Sequence, residues 1–297
     1  MRGKEFIENI RESIEADKDR RIWEDAVRAV SLVSELVFTQ SSHFIMELIQ
    51  NTEDAGAGLP NSGEMTISIS RKRVLVVHNA RPFNQDDVNA ICGLRTTKKP
   101  ELGSIGYLGI GFKSVFKITD SPFIFSGEFQ FKFDKNAWEK PDEIPWQIIP
   151  LPVHGTPESI CTEKTTFYLP FRDEKTYEEA KKDIKNLGLR LYLFLKWLKR
   201  IEILDEEGGE TTILENLGEQ KGVLTLARNR VKEKYLMFRR ICKVPLDVAE
   251  DIITKSAKRS NVKQREVTVA FKVDENDKLV PLTGAEVRWS PLSRQIF

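Results

Sequence analysis

The chain has 297 residues, of which 40% are hydrophobic and 31% charged. That is enough apolar material for a buried core, and at roughly 150 residues per domain the length suits two domains. Lys and Arg exceed Asp and Glu by only 46 − 45 = 1, which excludes proteins that act through bulk charge, such as histone-like or acidic-tail proteins. The three cysteines, Cys92, Cys161 and Cys242, lie far apart with no C-x-x-C pair. Neither a disulfide scaffold nor a cysteine–zinc site is expected, and a reducing compartment is the default. The three histidines lack the H-E-x-x-H spacing of a zincin. The charged N-terminus has no apolar signal segment, and the apolar run Leu187–Leu198 is interrupted by Arg190 and Lys196. The chain therefore reads as a soluble, cytoplasmic protein without a membrane span.

Helical spacing of apolar residues over 3–37 (Phe6, Ile10 and Ile14, then Ile22, Trp23, Val27, Val30 and Val33) predicts two amphipathic helices. A third helix follows over 42–55, with Ser41 or Ser42 as its N-cap, and then a Gly/Pro/Asn loop over Gly56–Gly63. MTISIS and VLVVHN read as adjacent strands joined at Arg71–Arg73, and NQDDVNAIC as a short helix. Residues 93–111 hold six glycines or prolines. A loop that long inside a domain is usually functional. Helix is expected from Phe112 to Thr119, then strands at PFIFSG, FQFKFD, WQIIPL and TTFYLPF, and a long helix over 174–200. Further strands are read at IEILD, GVLTLA, KYLMFRRI and REVTVAFKV. Composition shifts near residue 200, which places the domain boundary there, between 1–200 and 201–297.

Two motifs carry the chemistry. In Glu47-Leu-Ile-Gln-Asn51-Thr-Glu-Asp54-Ala55, Glu47, Asn51 and Asp54 stand at i, i+4 and i+7 on one helix face. A carboxamide oxygen there suits octahedral Mg²⁺, and a carboxylate can orient a water for attack on phosphate. A merely solvated polar face is the competing reading. The second motif is Gly106-x-x-Gly109-x-Gly111-Phe112-Lys113-Ser114, glycines leading into a helix start. Glycines let backbone N–H groups approach phosphate, and a helix N-terminus favours the anion. The spacing fits neither a Walker A loop nor the Rossmann fingerprint.

Together, and in this order around a strand ending His78-Asn79, the motifs resemble those of the GHKL (Bergerat-fold) ATPases. HFIMELIQNTEDA, VLVVHNARPF, ICGLRTTKK and IGYLGIGFKSVFKITDSPFIFSG resemble the sacsin/NO VEIN-like branch, itself related to the ATPase domain of the ninety-kilodalton heat-shock chaperones. The resemblance is tight over about 40–135, looser to 200 and faint beyond. It implies an α+β fold: a two-layer α/β sandwich with a mixed, mainly antiparallel sheet, followed by a partial second α/β domain. It implies ATP and Mg²⁺ as cofactors, with Glu47 as general base, Asn51 as metal ligand, and Asp54 and Ala55 beside the nucleotide. Gly106, Gly109 and Gly111 would close over the phosphates, with Phe112 and Lys113 starting the helix behind them. Thr97 and Lys98, with Thr96 and Lys99, fall in the lid segment. Thr165 or Thr166 matches the threonine beneath adenine.

The chain departs from the family at the adenine-binding Asp-x-Gly-x-Gly, which is replaced by His78-Asn79-Ala80-Arg81-Pro82-Phe83. Asn79 is assigned the adenine-facing role, with His78 as its rival. The expected function is Mg²⁺-dependent ATP binding with slow hydrolysis, used as a conformational switch. The alternatives are a non-hydrolysing nucleotide-sensing scaffold or chaperone-like module, and a nucleic-acid-processing ATPase. Partners implied are ATP, a second copy on ATP binding, and a protein client or additional subunit; the near-neutral charge argues against nucleic acid. Relatives continue past the point where this sequence stops, so a fragment of a longer protein is expected. The basic segment Arg228–Arg240, with six basic residues and one acid, reads as a solvated sheet edge before a phosphate-reaching or nucleic-acid-binding one.

Overall fold

The computed structural model describes residues 2–16, 18, 23–24, 27–28, 43–93, 111–153, 160, 163–256 and 261–281. The fold is mixed α/β, built on one open, mostly antiparallel sheet. Its strands are β1 (Gly63–Ile69), β2 (Arg73–His78), β3 (Phe123–Ser126), β4 (Phe129–Lys132), β5 (Leu151–Pro152) and β6 (Thr165–Pro170). They continue with β7 (Leu198–Asp205), β8 (Glu210–Gln220), β9 (Val223–Arg228), β10 (Val231–Lys243) and β11 (Gln264–Val273). Their order across the sheet is β11-β10-β9-β8-β7-β1-β2-β6-β3-β4-β5. The β1–β7 pairing is parallel, and the others are antiparallel. Strand β7 joins β1 to β8, so the sheet runs unbroken across residue 200.

Side-chain alternation sets the core. Register places Ile203, Ile67, Val76, Phe167, Ile124 and Phe131 side by side across six strands, all buried. Helix α1 (Arg2–Glu15) packs against β4 and β5. Helix α2 (His43–Gly56) buries Phe44, Ile45, Leu48 and Ile49, packing on β7 and on the 3-10 turn Gly111–Lys117. Helix α3 (Gln85–Cys92) opens on an Asn84/Asp87 capping box.

Three elements differ from the sequence reading. Helix α4 (Glu174–Lys185) stops short of residue 200. Arg228 donates to the carbonyls of Lys185 and Leu187, which ends the helix with a tertiary cap. Gly111–Lys117 is 3-10 rather than α. WQIIPL is mostly turns and only Leu151–Pro152 pairs, because prolines at 145, 150 and 152 cannot donate to a ladder. Of the two N-terminal helices, the first is α1, and the second falls largely outside the described residues.

Candidate functional site

Helix α2 presents different chemistry on its two sides. Glu47 and Asn51 stand one turn apart and are half-buried, as are Asp54 and Ala55. Opposite Glu47 lies Gly111: a methyl group built on its Cα would fall 2.0 Å from the Glu47 Oε2. The Glu47 carboxylate thus fills the space that a side chain at 111 would take. The first and second motifs are thereby in contact, although they lie 64 residues apart in sequence.

The other side of α2 holds Glu53, a residue the sequence reading passes over. Its buried carboxylate accepts three backbone bonds, from Lys196 and Trp197 N at 2.7 and 2.8 Å and from Leu198 N at 2.8 Å. Strand β7 therefore begins on this carboxylate, which explains why helical spacing before residue 198 does not produce helix. Gly56 and Gly63 leave room for the Trp197 ring, which a methyl on Gly56 would meet at 1.9 Å. The clue in the sequence is a second acid next to Asp54, in a box whose chemistry needs only one polar face.

On its core-facing side the sheet carries a short polar row. Register sets His78 opposite Thr165, and both share the core-facing side with Val76 and Phe167. Thr165 Oγ1 lies 2.6 Å from Ser126 Oγ, which in turn accepts from Phe83 N at 2.8 Å. His78 Nδ1 accepts from Ala80 N at 3.3 Å, so a neutral ring carries its proton on Nε2. Burial keeps that ring neutral by pushing its pKa down to about 3. The ring lies 6.1 Å from that of Phe167.

Asn79, the residue assigned to adenine from sequence, points elsewhere. Its side chain accepts from Glu64 N at 2.8 Å and donates to Ser62 O at 3.0 Å, clasping the end of β1 to β2. Successive strand residues face opposite sides, and the register gives the Thr165 side to His78. Thr166 is buried on the opposite side, and its hydroxyl has no hydrogen-bond partner among the described residues.

Phe112 and Lys113 stand at the start of the 3-10 turn Gly111–Lys117, as the sequence reading placed them at a helix start. Phe112 is core, its ring 6.0 Å from Phe167 and 6.1 Å from both Phe116 and Phe133. The Lys113 side chain turns into the fold. Its ammonium donates to Ile91 O at 2.5 Å and Gln147 O at 2.9 Å, with the Phe133 ring 5.1 Å away. Burial lowers its pKa to about 8. The ammonium bridges the end of α3 to the 147 segment because a buried cation must be satisfied where it lies. Thr96, Thr97, Lys98, Lys99, Gly106 and Gly109 lie outside the described residues.

The remaining polar features are structural. Arg81 forks onto both carboxylate oxygens of Asp87, at 2.5 and 3.0 Å. In the basic segment, Arg228 caps α4, Arg239 pairs with Glu219, and Lys234 pairs with Asp277. These residues lie on interior strands and not at the sheet edge. Cys92 is buried, with its thiol pushed up to about 12 by desolvation. Among the described residues, no helix is long and apolar enough to cross a membrane.

Comparison with known proteins supports the branch named from the motifs. Residues 64–150 match the Sacsin domain family. The chain is 30% identical over 196 residues to Protein NO VEIN of Arabidopsis thaliana, covering 60% of this chain and 7% of that protein. It is 34% identical over 104 residues to Sacsin of Homo sapiens, covering 31% of this chain and 2% of that protein. The chain is thus similar to the sacsin/NO VEIN-like branch, and it spans a small part of both curated relatives.

Proposed function

We propose that the chain binds ATP with Mg²⁺ and hydrolyses it slowly, using the nucleotide as a conformational switch. The supporting observation is the contact of Glu47 with Gly111, which sets a carboxylate at the end of the glycine segment with Asn51 one turn away. In this reading the sheet and its helices form the two-layer Bergerat sandwich, residues 1–200 serve as the nucleotide unit, and 201–297 respond to it.

The donor set fits the proposed cofactor. A carboxamide oxygen beside a carboxylate suits a hard divalent cation, whose remaining ligands would be phosphate and water. A cation held at Asn51 would neutralise phosphate charge. Glu47 orients and deprotonates the attacking water. Backbone N–H groups of the glycine segment stabilise charge on the phosphates. His78, sharing its face with Thr165, replaces the family's Asp at the base: its Nε2–H donates to a ring nitrogen, where a carboxylate would accept from an amino group. A second copy on ATP binding and a protein client belong to the same proposal.

The test is calorimetric titration with ATP, with and without Mg²⁺, on the wild type and on Asn51→Ala, followed by phosphate release from Glu47→Ala. Saturable, Mg²⁺-dependent binding that is lost in Asn51→Ala is expected, as is a Glu47→Ala protein that binds but does not turn over. Binding without any phosphate release from the wild type would leave the nucleotide-sensing scaffold. No binding by the folded wild type would remove the nucleotide reading altogether.

A further inference from the structure

Most of the basic segment Arg228–Arg240 lies on β10, which runs between β9 and β11. Its charges therefore do not protect a sheet edge, and they need another account. Side-chain alternation divides β10 in two. One side carries Tyr235 and Met237 into the core, in line with Glu233 and Arg239. The other side carries Lys232, Lys234, Leu236, Phe238 and Arg240. Register sets Thr225 of β9 beside Lys234, and Phe271, Val269 and Val267 of β11 beside Leu236, Phe238 and Arg240.

Charge is segregated between the two sides. Strands β9, β10 and β11 hold two acids, Glu233 and Glu266, and both stand on the core-facing side. Each is paired there, Glu233 with Lys272 at 3.3 Å and Glu266 with Lys196 at 3.2 Å. The opposite side carries Lys232, Lys234, Arg240 and Arg265, and no acid on any of the three strands. Lys234 meets Asp277, beyond the end of β11, in a surface pair that solvent screens. The net charge of +1 is thus a sum over two unlike faces and does not oppose an anionic ligand.

An aromatic pair sits among these cations. Phe238 and Phe271 are 54 and 45% exposed, and their rings meet edge to face at 5.9 Å. In that geometry at least one ring keeps both of its faces clear of the other. Arg240 follows Phe238 by two residues, about 7 Å along the same side of the strand. A base stacked on the ring would leave its phosphate within reach of the guanidinium.

We infer that this side of β9–β11 is a platform for single-stranded RNA, with bases stacked on Phe238 and Phe271 and phosphates held by Lys232 and Arg240. Rings on an open sheet with cations beside them offer both contacts that an unpaired nucleotide makes. A duplex covers the faces of its bases and does not fit. Thr225 and Gln220, uncharged hydrogen-bonding residues on the same side, suit ribose 2′-hydroxyls, which favours RNA over DNA. An acidic peptide would meet the cations but bring no planar group to the rings. These strands carry none of Glu47, Asn51 and Gly111, and the binding needs no ATP. Its failure leaves the ATP proposal untouched.

The test is fluorescence anisotropy of a labelled oligouridine of about 12 nucleotides. It is titrated with the full chain, without ATP, at about 50 to 200 mM salt. Saturable binding that weakens with salt is expected. Phe238→Ala and Phe271→Ala should each weaken it roughly 10-fold or more, with the salt dependence kept. Arg240→Gln should reduce the slope of log affinity against log salt by about 0.7, the share of one phosphate on a single strand. Arg239→Gln, on the other side of the same strand, should change neither. The substituted side chains are at the surface, so circular dichroism should show each variant folded. No binding by the wild type overturns the inference, and so does binding that both phenylalanine variants retain. An equal loss in Arg239→Gln and Arg240→Gln overturns the choice of face. Oligodeoxyuridine or duplex RNA bound as tightly as oligouridine overturns the choice of ligand, as does full competition by polyglutamate.

Discussion

The two ends of the sheet are built by opposite rules. Around β1, β2 and β6 the core-facing side of each strand is buried, and several polar residues there or nearby have specific partners: Glu53 on three amides, Asn79 on Glu64 and Ser62, Lys113 on two carbonyls. Around β10 and β11 one side leaves apolar residues such as Phe238, Val267, Val269 and Phe271 exposed, and polar residues form surface ion pairs. A buried polar group is expensive unless satisfied, so it fixes one geometry. A surface pair is screened and fixes little. The first end is held in one geometry by buried contacts, and the second leaves part of its apolar surface facing solvent.

The most disruptive way to test this contrast is to remove Glu53. Glu53→Ala strands three amides at the start of β7 and should cost about 4 kcal/mol, since unmade buried bonds cost roughly 1–3 kcal/mol each. Urea denaturation followed by circular dichroism measures it. Glu53→Gln, which keeps an acceptor, should fall between the two. A loss no larger than that of a surface substitution would mean that the clamp does not hold the fold.

Next in size is chemistry. Glu47→Ala should lower phosphate release by about 100-fold or more while leaving ATP affinity near the wild type, as loss of a general base does. Gly111→Ala should lower release by roughly 10- to 100-fold, because its new methyl displaces the Glu47 carboxylate. It should cost little stability, since the atom that must move is the far end of a flexible side chain. Equal losses of stability and activity in Gly111→Ala would argue that the contact is only packing.

A smaller effect is set by pH. His78 has its folded pKa depressed below that of the unfolded chain. The unfolded state therefore binds the extra proton first, and stability falls as pH drops from about 6.5, the model imidazole value, toward about 3. The slope should approach about 1.4 kcal/mol per pH unit within that window. His78→Gln should flatten it, which denaturation midpoints at pH 4 to 7, set as a difference from the wild type, would show. The smallest effect belongs to the open end: Arg239→Ala breaks the pair with Glu219 and should cost under about 1 kcal/mol.

How much was legible in the sequence follows the same divide. Strands β1, β2 and β6 are plain in it because burial imposes alternation, and the helix bearing Glu47 and Asn51 is plain because its apolar residues recur at helical spacing. Strand β8 is hidden, since Glu210, Glu215 and Glu219 interrupt its pattern and Gly218 stands at a break in its register. The end of α4 and the start of β7 depend on Arg228 and Glu53, which act from distant parts of the chain. Local periodicity carries no trace of them. That His78, not Asn79, shares its face with Thr165 depends on the register of β2 and β6, which a single sequence does not contain. The surroundings of Lys113, ring faces and carbonyls from distant segments, become visible only on folding.

Glu53 also determines how the molecule can move. The helix carrying Glu47 and Asn51 is bolted by one carboxylate to the three amides, Lys196 to Leu198, that lead into and open strand β7. Sliding α2 along β7 would break all three bonds at once, so small displacements of the helix are carried by the strand as a rigid crank. Whatever tugs on Glu47 or Asn51 therefore pulls directly on the root of the β7–β11 meander. A length change in that meander would be felt at the carboxylate by the same linkage run in reverse.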